Sequence, residues 1–169
     1  MIRNRLAPLA ILLALPMLLM GLQASLVTAK GPPKILEFDT MVGVSAPFAG
    51  AANAIRGVNG AGAPWVVGSA EGELTTSGRL EIKVQGLVLA SSGNNPQASF
   101  QAIVSCLRSD NTVQNISTGP FPATTGLASA GGGSAKVEID LTTLPRPCIA
   151  PIVFVTNGAG TSWFAVTGG

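Results

Sequence analysis

The stretch RLEIKVQ at residues 79–85 alternates polar and apolar side chains without a break. A period of two is typical of a β-strand whose aliphatic side chains face a core while its polar side chains face water. Residues 71–76 favour a second strand, and Ser77-Gly78 between the two segments has the composition of a two-residue hairpin turn. The centre of the chain therefore predicts a β-hairpin with one buried face and one solvated face.

Strand signals recur on both sides of this hairpin. Residues 99–107 and 136–141 alternate in the same way, whereas residues 148–155 are apolar on both faces, as in a central strand. A final strand is predicted at 162–167, and no segment has a convincing helical period. The pattern predicts an all-β fold, an antiparallel β-sandwich of about eight strands that forms a single β-domain at residues 35–169, with a partly open β-barrel as the alternative.

The beginning of the chain predicts an export signal. Two arginines precede an apolar run at residues 6–20, and small residues follow it in the positions that a signal peptidase requires. We predict a signal peptide at residues 1–29 that is cleaved after Ala29, with cleavage after Ala24 as the alternative. Residues 30–34 would then form a short Gly/Pro linker in front of the domain.

An uncleaved membrane anchor is the competing interpretation of this leader. Residues 6–27 are almost entirely apolar, and about 20 such residues suffice to cross a bilayer as a helix. The positive charges would stay on the inner side and leave the domain facing outward. Both interpretations predict a secreted or extracytoplasmic location, and both limit membrane contact to the N-terminal segment, if it stays uncleaved.

The charge balance argues against nucleic acid as a partner. The formal net charge of +2 comes from ten basic and eight acidic residues, and Arg3 and Arg5 account for the whole excess. Nucleic acid binding needs clustered Lys or Arg side chains that displace counterions from phosphates, and the sequence contains no such cluster. We therefore predict no nucleic acid binding, and the sequence does not identify another partner.

The two cysteines, Cys106 and Cys148, lie in the exported part of the chain. In an oxidising compartment an even pair of this kind predicts a disulfide, here one that joins two predicted strands. If the two strands belong to different sheets, the bridge would hold the sandwich together. Two thiolates without a histidine make only half of a tetrahedral zinc site, so the sequence predicts no metal and no cofactor.

The composition excludes the commonest catalytic arrangements. The chain has no histidine and no tyrosine, so a Ser-His-Asp triad and a histidine base are impossible. The pairs Glu71/Glu73 and Glu138/Asp140 could serve in glycoside hydrolysis or hold a hard cation. Because each pair lies on the polar face of an alternating strand, solvated charge is the favoured interpretation and no catalytic residue is assigned.

Trp65 and Trp163 are the only tryptophans of the chain. An exposed indole on a β-sandwich could stack on a sugar ring, which makes both residues candidates for ligand binding. Core packing is the competing interpretation, and it fits the apolar neighbours of Trp65.

Arg56 is a lone charge inside an irregular, Gly- and Ala-rich excursion at residues 41–63. We expect it to fasten this excursion to the sheet by pairing with Glu37 or Asp39. A ligand-binding role for Arg56 is the alternative.

Together these features predict an exported, non-catalytic β-domain with a binding or structural role at the cell envelope or outside the cell. Two alternatives stay open. One is a carboxylate-dependent extracellular hydrolase, and the other is a carbohydrate-binding module that uses exposed tryptophan.

Overall fold

The computed structural model describes residues 31–167. The predicted signal peptide, its cleavage at Ala29 or Ala24 and its alternative role as an anchor lie outside the described residues, as does the first residue of the predicted linker. Within the part described, no helix has the length and the apolar character needed to cross a bilayer.

The regular secondary structure of the described residues consists almost entirely of β-strands. Eight of these strands have five or more residues, which matches the predicted number, and a single 3-10 turn at Ala128–Ala130 follows β11. In chain order the strands are β1 (Lys34–Phe38), β2 (Met41–Gly43), β3 (Asn59–Gly60), β4 (Trp65–Val66), β5 (Ser69–Thr75), β6 (Arg79–Gln85), β7 (Val88–Leu89), β8 (Asn94–Asn95), β9 (Ser99–Leu107), β10 (Val113–Pro122), β11 (Gly126–Leu127), β12 (Ala135–Asp140), β13 (Ile149–Asn157) and β14 (Ser162–Thr167).

Two antiparallel sheets pack face to face and confirm the predicted sandwich. The four-stranded sheet has the order β1-β5-β6-β12, and the second sheet has the order β10-β9-β13-β14-β2, with β3 added in parallel to β14. Two short ribbons, β4 with β7 and β8 with β11, lie outside these sheets. One continuous cluster of buried apolar residues includes side chains from both sheets, so the core lies between them.

The predicted hairpin forms, but its loop is longer than the sequence indicated. Strands β5 and β6 pair with Leu74 opposite Leu80, and three residues, 76–78, connect them. Gly78 adopts a φ of 99° and donates its N–H to the carbonyl of Thr75. This geometry is typical of a three-residue loop that ends in a left-handed residue, so the prediction of a two-residue Ser-Gly turn is wrong.

The centre of the second sheet is apolar because both of its faces are covered. On one face, the rings of Trp65 and Phe164 stack with centroids 3.9 Å apart. On the other side, Phe48 from the excursion lies 6.5 Å from Trp163, whose ring is 6.0 Å from that of Phe154. The predicted central strand at 148–155 is therefore confirmed as β13, which has β9 on one side and β14 on the other.

The disulfide between Cys106 and Cys148 is present, and it closes a separation of 42 residues. Cys106 lies on β9, and Cys148 directly precedes β13, the strand paired with β9. The bridge therefore joins neighbouring strands of one sheet, and the hypothesis that it ties the two sheets together is wrong. The physical reason is the register, which places Leu107 opposite Ile149 and so brings the two cysteines side by side.

Two segments predicted to be irregular contain strands. The excursion at 41–63 begins with β2 and ends near β3, both of which pair with β14. Two prolines and the glycine run 131–133 predict a long loop at residues 118–134, but β10 continues to Pro122 after a register shift between Ser117 and Pro120. Gly119 lies in that shift with a φ of 76°, which explains how a strand accommodates the Gly-Pro sequence.

Candidate functional site

Four glutamates form a row across the polar face of the four-stranded sheet. Glu37, Glu73, Glu81 and Glu138 lie directly opposite one another on β1, β5, β6 and β12. Like charges in such positions repel each other and destabilise a sheet. The row therefore requires cations close by.

Lys34 and Arg79 supply these cations. Lys34 Nζ lies 2.8 Å from a carboxylate oxygen of Glu37 and 2.6 Å from one of Glu73. Arg79 Nε lies 3.0 Å from Glu81, and its Nη2 contacts the remaining glutamate of the row. The hydrogen bond to Glu37 raises the pKa of Lys34 above its usual range, and the hydrogen bond to Glu81 raises the pKa of Arg79. Each cation thus neutralises two neighbouring carboxylates.

The two predicted carboxylate pairs are part of this charged face. Glu71 and Glu73 lie on β5, Glu138 and Asp140 lie on β12, and β6 separates the two strands. Glu71 is 3.0 Å from Lys83 Nζ, so three of these four carboxylates have a cation within ion-pair distance. The arrangement favours the interpretation of solvated charge over that of a catalytic pair. Within residues 31–167 no group of three or more acidic, Cys or His side chains could hold a metal ion.

Both tryptophans are buried, which corrects the premise that they are exposed. Trp65 is 4% exposed and stacks on Phe164, and Trp163 is 2% exposed between Phe48 and Phe154. The structure does not bring the two indoles to the surface, so neither offers a free face for a sugar ring. Their role as core residues matches the competing interpretation.

Arg56 fastens the excursion to the second sheet. It occupies a tight turn with a φ of 49°, and the backbones of Ile55 and Val58 on either side of the turn exchange two hydrogen bonds. Arg56 Nη1 donates to the carbonyl of Ser105 at 2.9 Å, and the carbonyl of Arg56 accepts from Asn115 Nδ2 at 3.0 Å.

The expected ion pair of Arg56 with Glu37 or Asp39 is absent among the residues that the structure describes. The prediction of a fastening role is thus supported, but its partners are corrected. The reason is topological, because the turn of Arg56 lies against β9 and β10 of the second sheet, whereas Glu37 belongs to the first sheet.

A concave region lies at the end of the sandwich that carries the disulfide. Its centre is the segment 144–148, which connects β12 to β13 and has a cleft on each side. The first cleft, the apolar groove, has a volume of about 460 Å³ and is lined by Ile35, Thr76, Ser77, Leu144, Pro145, Arg146, Pro147 and Cys148. The second, the arginine cleft, has a volume of about 380 Å³ and is lined by Arg108, Ser109, Gln114, Thr143, Pro145, Arg146 and Pro147.

Neither arginine of the arginine cleft forms an ion pair among the described residues, whereas Arg79 contacts two glutamates. Arg108 Nε donates to Gln114 Oε1 at 2.7 Å, and Gln114 Nε2 donates to the carbonyl of Thr143 at 3.2 Å. This chain of contacts orients the Arg108 guanidinium and leaves its terminal nitrogens available. Arg146 makes no side-chain hydrogen bond and no ion pair to any residue in the range 31–167.

The acidic residue that is closest in sequence to the arginine cleft forms hydrogen bonds within its own loop. Asp110 Oδ1 accepts hydrogen bonds from Thr112 Oγ1 at 2.6 Å and from the Thr112 backbone N–H at 2.9 Å. These bonds, and to a smaller degree the charge of Arg108, lower the pKa of the Asp110 carboxyl. No acidic side chain lines the arginine cleft itself, so its two guanidinium groups make it a locally cationic surface.

The sequence reasoning missed this region. Arg108 and Arg146 are far apart in the chain, and the pairing of β9 with β13 together with the disulfide brings their segments to the same end of the sandwich. A signal was present, because Arg146 stands between two prolines and two residues before the disulfide cysteine, where the backbone is stiff. Comparison with known proteins found no matching family model, no matching curated protein and no matching solved structure.

Proposed function

We propose that this chain is an exported, non-catalytic β-sandwich that works by binding, at the cell envelope or outside the cell. The leader sequence supports export, and a disulfide is compatible with an oxidising, extracytoplasmic compartment. The binding surface is the pair of clefts on either side of residues 144–148.

The observation that carries this proposal is the contrast between two charged surfaces. On the four-stranded sheet, Lys34, Arg79 and Lys83 are engaged with glutamates that lie beside them, and among the described residues Lys136 is the one cation of this sheet without an ion pair. In the arginine cleft, Arg108 and Arg146 face open space without a carboxylate among the lining residues. Cationic groups held without a counter-charge are a common feature of binding sites, because a ligand can supply the missing charge.

The rigidity of this end also favours binding. The disulfide anchors Cys148 to β9, and two prolines restrict the backbone on either side of Arg146. A site that is already ordered before binding loses less conformational entropy when its ligand arrives. The clefts are therefore better suited to ligand recognition than a mobile loop would be.

The alternatives have weaker support. The four-stranded sheet has a concavity of about 840 Å³ lined by Glu37, Asp39, Glu71, Glu73 and Glu81. All of these carboxylates except Asp39 are engaged in ion pairs, and the sequence has no histidine, so a hydrolase would lack a free pair of acidic groups. The burial of both indoles leaves the carbohydrate-binding alternative without the stacking surface that it invoked.

Export and envelope binding can be tested with the full chain expressed with its own leader. N-terminal sequencing of the exported form is expected to begin at Lys30. The exported protein is then mixed with isolated cell envelopes, and the fraction that sediments is measured. We expect retention of the wild type and a loss of most retention in the double variant R108Q/R146Q.

The double variant K83Q/K136Q is the matched control, because it removes two positive charges from the four-stranded sheet instead. It should sediment like the wild type. Equal sedimentation of all three proteins, or recovery of the chain in the cytoplasm with its leader intact, would contradict the proposal.

A further inference from the structure

Arg146 lines both clefts, and this shared position connects two different surfaces. On one side of its segment the walls are largely apolar, and on the other side Arg108 adds a second guanidinium. A single ligand that contacts Arg146 can therefore reach both surfaces at once.

The apolar groove has the size and composition of a site for a small ligand. Ile35, Leu144, Pro145, Pro147 and Cys148 supply most of its lining, and only two hydroxyl side chains, from the loop between β5 and β6, are added to them and Arg146. Its volume of about 460 Å³ falls in the lower part of the range of roughly 300–1,000 Å³ that is usual for ligand sites. The groove favours a compact apolar group.

The arginine cleft favours an oxyanion. A guanidinium presents parallel N–H donors that match the two oxygens of a carboxylate, and Arg108 is held in place through Gln114 while its terminal nitrogens stay available. Arg146 has no competing partner among the residues described. A carboxylate placed beside Arg146 would therefore meet two cations and no acidic lining residue.

We propose that the two clefts together bind an amphiphilic anion, a small molecule with a carboxylate at one end and an apolar group at the other. The carboxylate contacts Arg146 and Arg108, and the apolar group lies in the groove against Ile35, Leu144 and Cys148. This inference rests on the proposed binding function and names the class of ligand for the same site.

Three simple probes separate the two halves of the site. Octanoate carries both the charge and the apolar chain, acetate carries only the charge, and octanol carries only the chain. The full chain, exported and isotopically labelled, is titrated with each probe and followed by NMR. We expect octanoate to shift the resonances of residues 144–148 and the Nε–H signals of Arg108 and Arg146.

The expected affinities follow from the open shape of the groove. A half-buried methylene gives about a twofold gain in affinity, so the six additional methylenes of octanoate should make it bind roughly fifty times more tightly than acetate. The exposed guanidinium groups should make octanoate bind about three to ten times more tightly than octanol.

The variant R146Q isolates the contribution of the charge. It should lower the affinity for octanoate while Arg108 retains part of the preference over octanol, and R146K should restore part of the loss. K136Q, which removes one positive charge from the four-stranded sheet, should bind octanoate like the wild type. Because Arg146 and Lys136 are exposed, both variants are expected to keep the wild-type fold.

Two outcomes would overturn the inference. If octanol binds as tightly as octanoate and R146Q changes nothing, the site does not select an anion, although the proposed binding function would survive. If no probe shifts the resonances of the clefts, the ligand is not an amphiphilic anion, and the envelope sedimentation assay then decides separately whether the surface binds anything.

Discussion

Removal of the disulfide tests how the end of the sandwich that contains the two clefts is stabilised. The variant C106A/C148A opens a connection that contains β10, β11 and β12 and the residues of the arginine cleft. For the 42-residue separation, the restriction of the unfolded chain by the bridge corresponds to about 4 kcal/mol of stability. Alanine is preferred to serine because Cys106 is fully buried, and a hydroxyl there would lack a partner.

This loss of stability corresponds to a measurable shift in the midpoint of thermal unfolding. For a domain of this length, 4 kcal/mol lowers the midpoint of thermal unfolding by about 14 °C. Calorimetry and urea unfolding of the purified protein are the assays, and the wild type in the presence of a reductant is the matched control because it opens the same bridge without removing the sulfur atoms. Both the variant and the reduced protein should lose stability by similar amounts.

A loss of less than about 1 kcal/mol would refute the reasoning, because the unfolded chain would then not be the state that the bridge restricts. A second readout distinguishes this case from general destabilisation. Because Cys148 lines the apolar groove, opening the bridge should also weaken octanoate binding at temperatures where the variant is still folded.

Four further predictions concern the rest of the sandwich. G72A should lower the free energy of unfolding in urea by about 2 kcal/mol, because the added Cβ would meet the Phe38 ring and a backbone carbonyl of β6. R79M should lower the urea midpoint more at low salt than at high salt, because it leaves two facing glutamates unneutralised; an equal effect at both salt concentrations would contradict the ion-pair account. The pKa of the Asp110 carboxyl is lowered in the folded state. The stability that this group contributes is therefore present above about pH 4 and is lost as the pH falls through its folded-state pKa. In D110N, the free energy of unfolding should accordingly fall less steeply at acidic pH. Tryptophan emission should be blue-shifted and resistant to acrylamide, and strong quenching would show that the indoles are exposed.

The alternation of polar and apolar residues predicted these strands well, because it arises when one face of a strand is buried. β6, β9, β12 and β14 were found from their alternation or composition, and β9 and β14 have the predicted bounds, 99–107 and 162–167. A buried face imposes a period of two on the sequence whatever the partner strand is. The signal is therefore visible before any pairing is known.

The pairing partners of the strands could not be predicted, because pairing depends on segments that are distant in the sequence. Whether Cys106 and Cys148 belong to one sheet depends on the long-range pairing of β9 with β13, which leaves no mark in either segment alone. The same holds for Arg56, whose partners are carbonyl and amide groups of distant strands. The two clefts depend on the same pairing, so the sequence alone did not indicate where they lie.

Hydrogen exchange of the purified protein, compared free and mixed with cell envelopes, tests most directly whether the end of the sandwich that carries the disulfide is the proposed binding surface. Slower exchange on binding is expected at residues 107–114 and 142–148, with little change across the charged face of β5, β6 and β12. Protection confined to that charged face, with unchanged exchange at 142–148, would contradict the account.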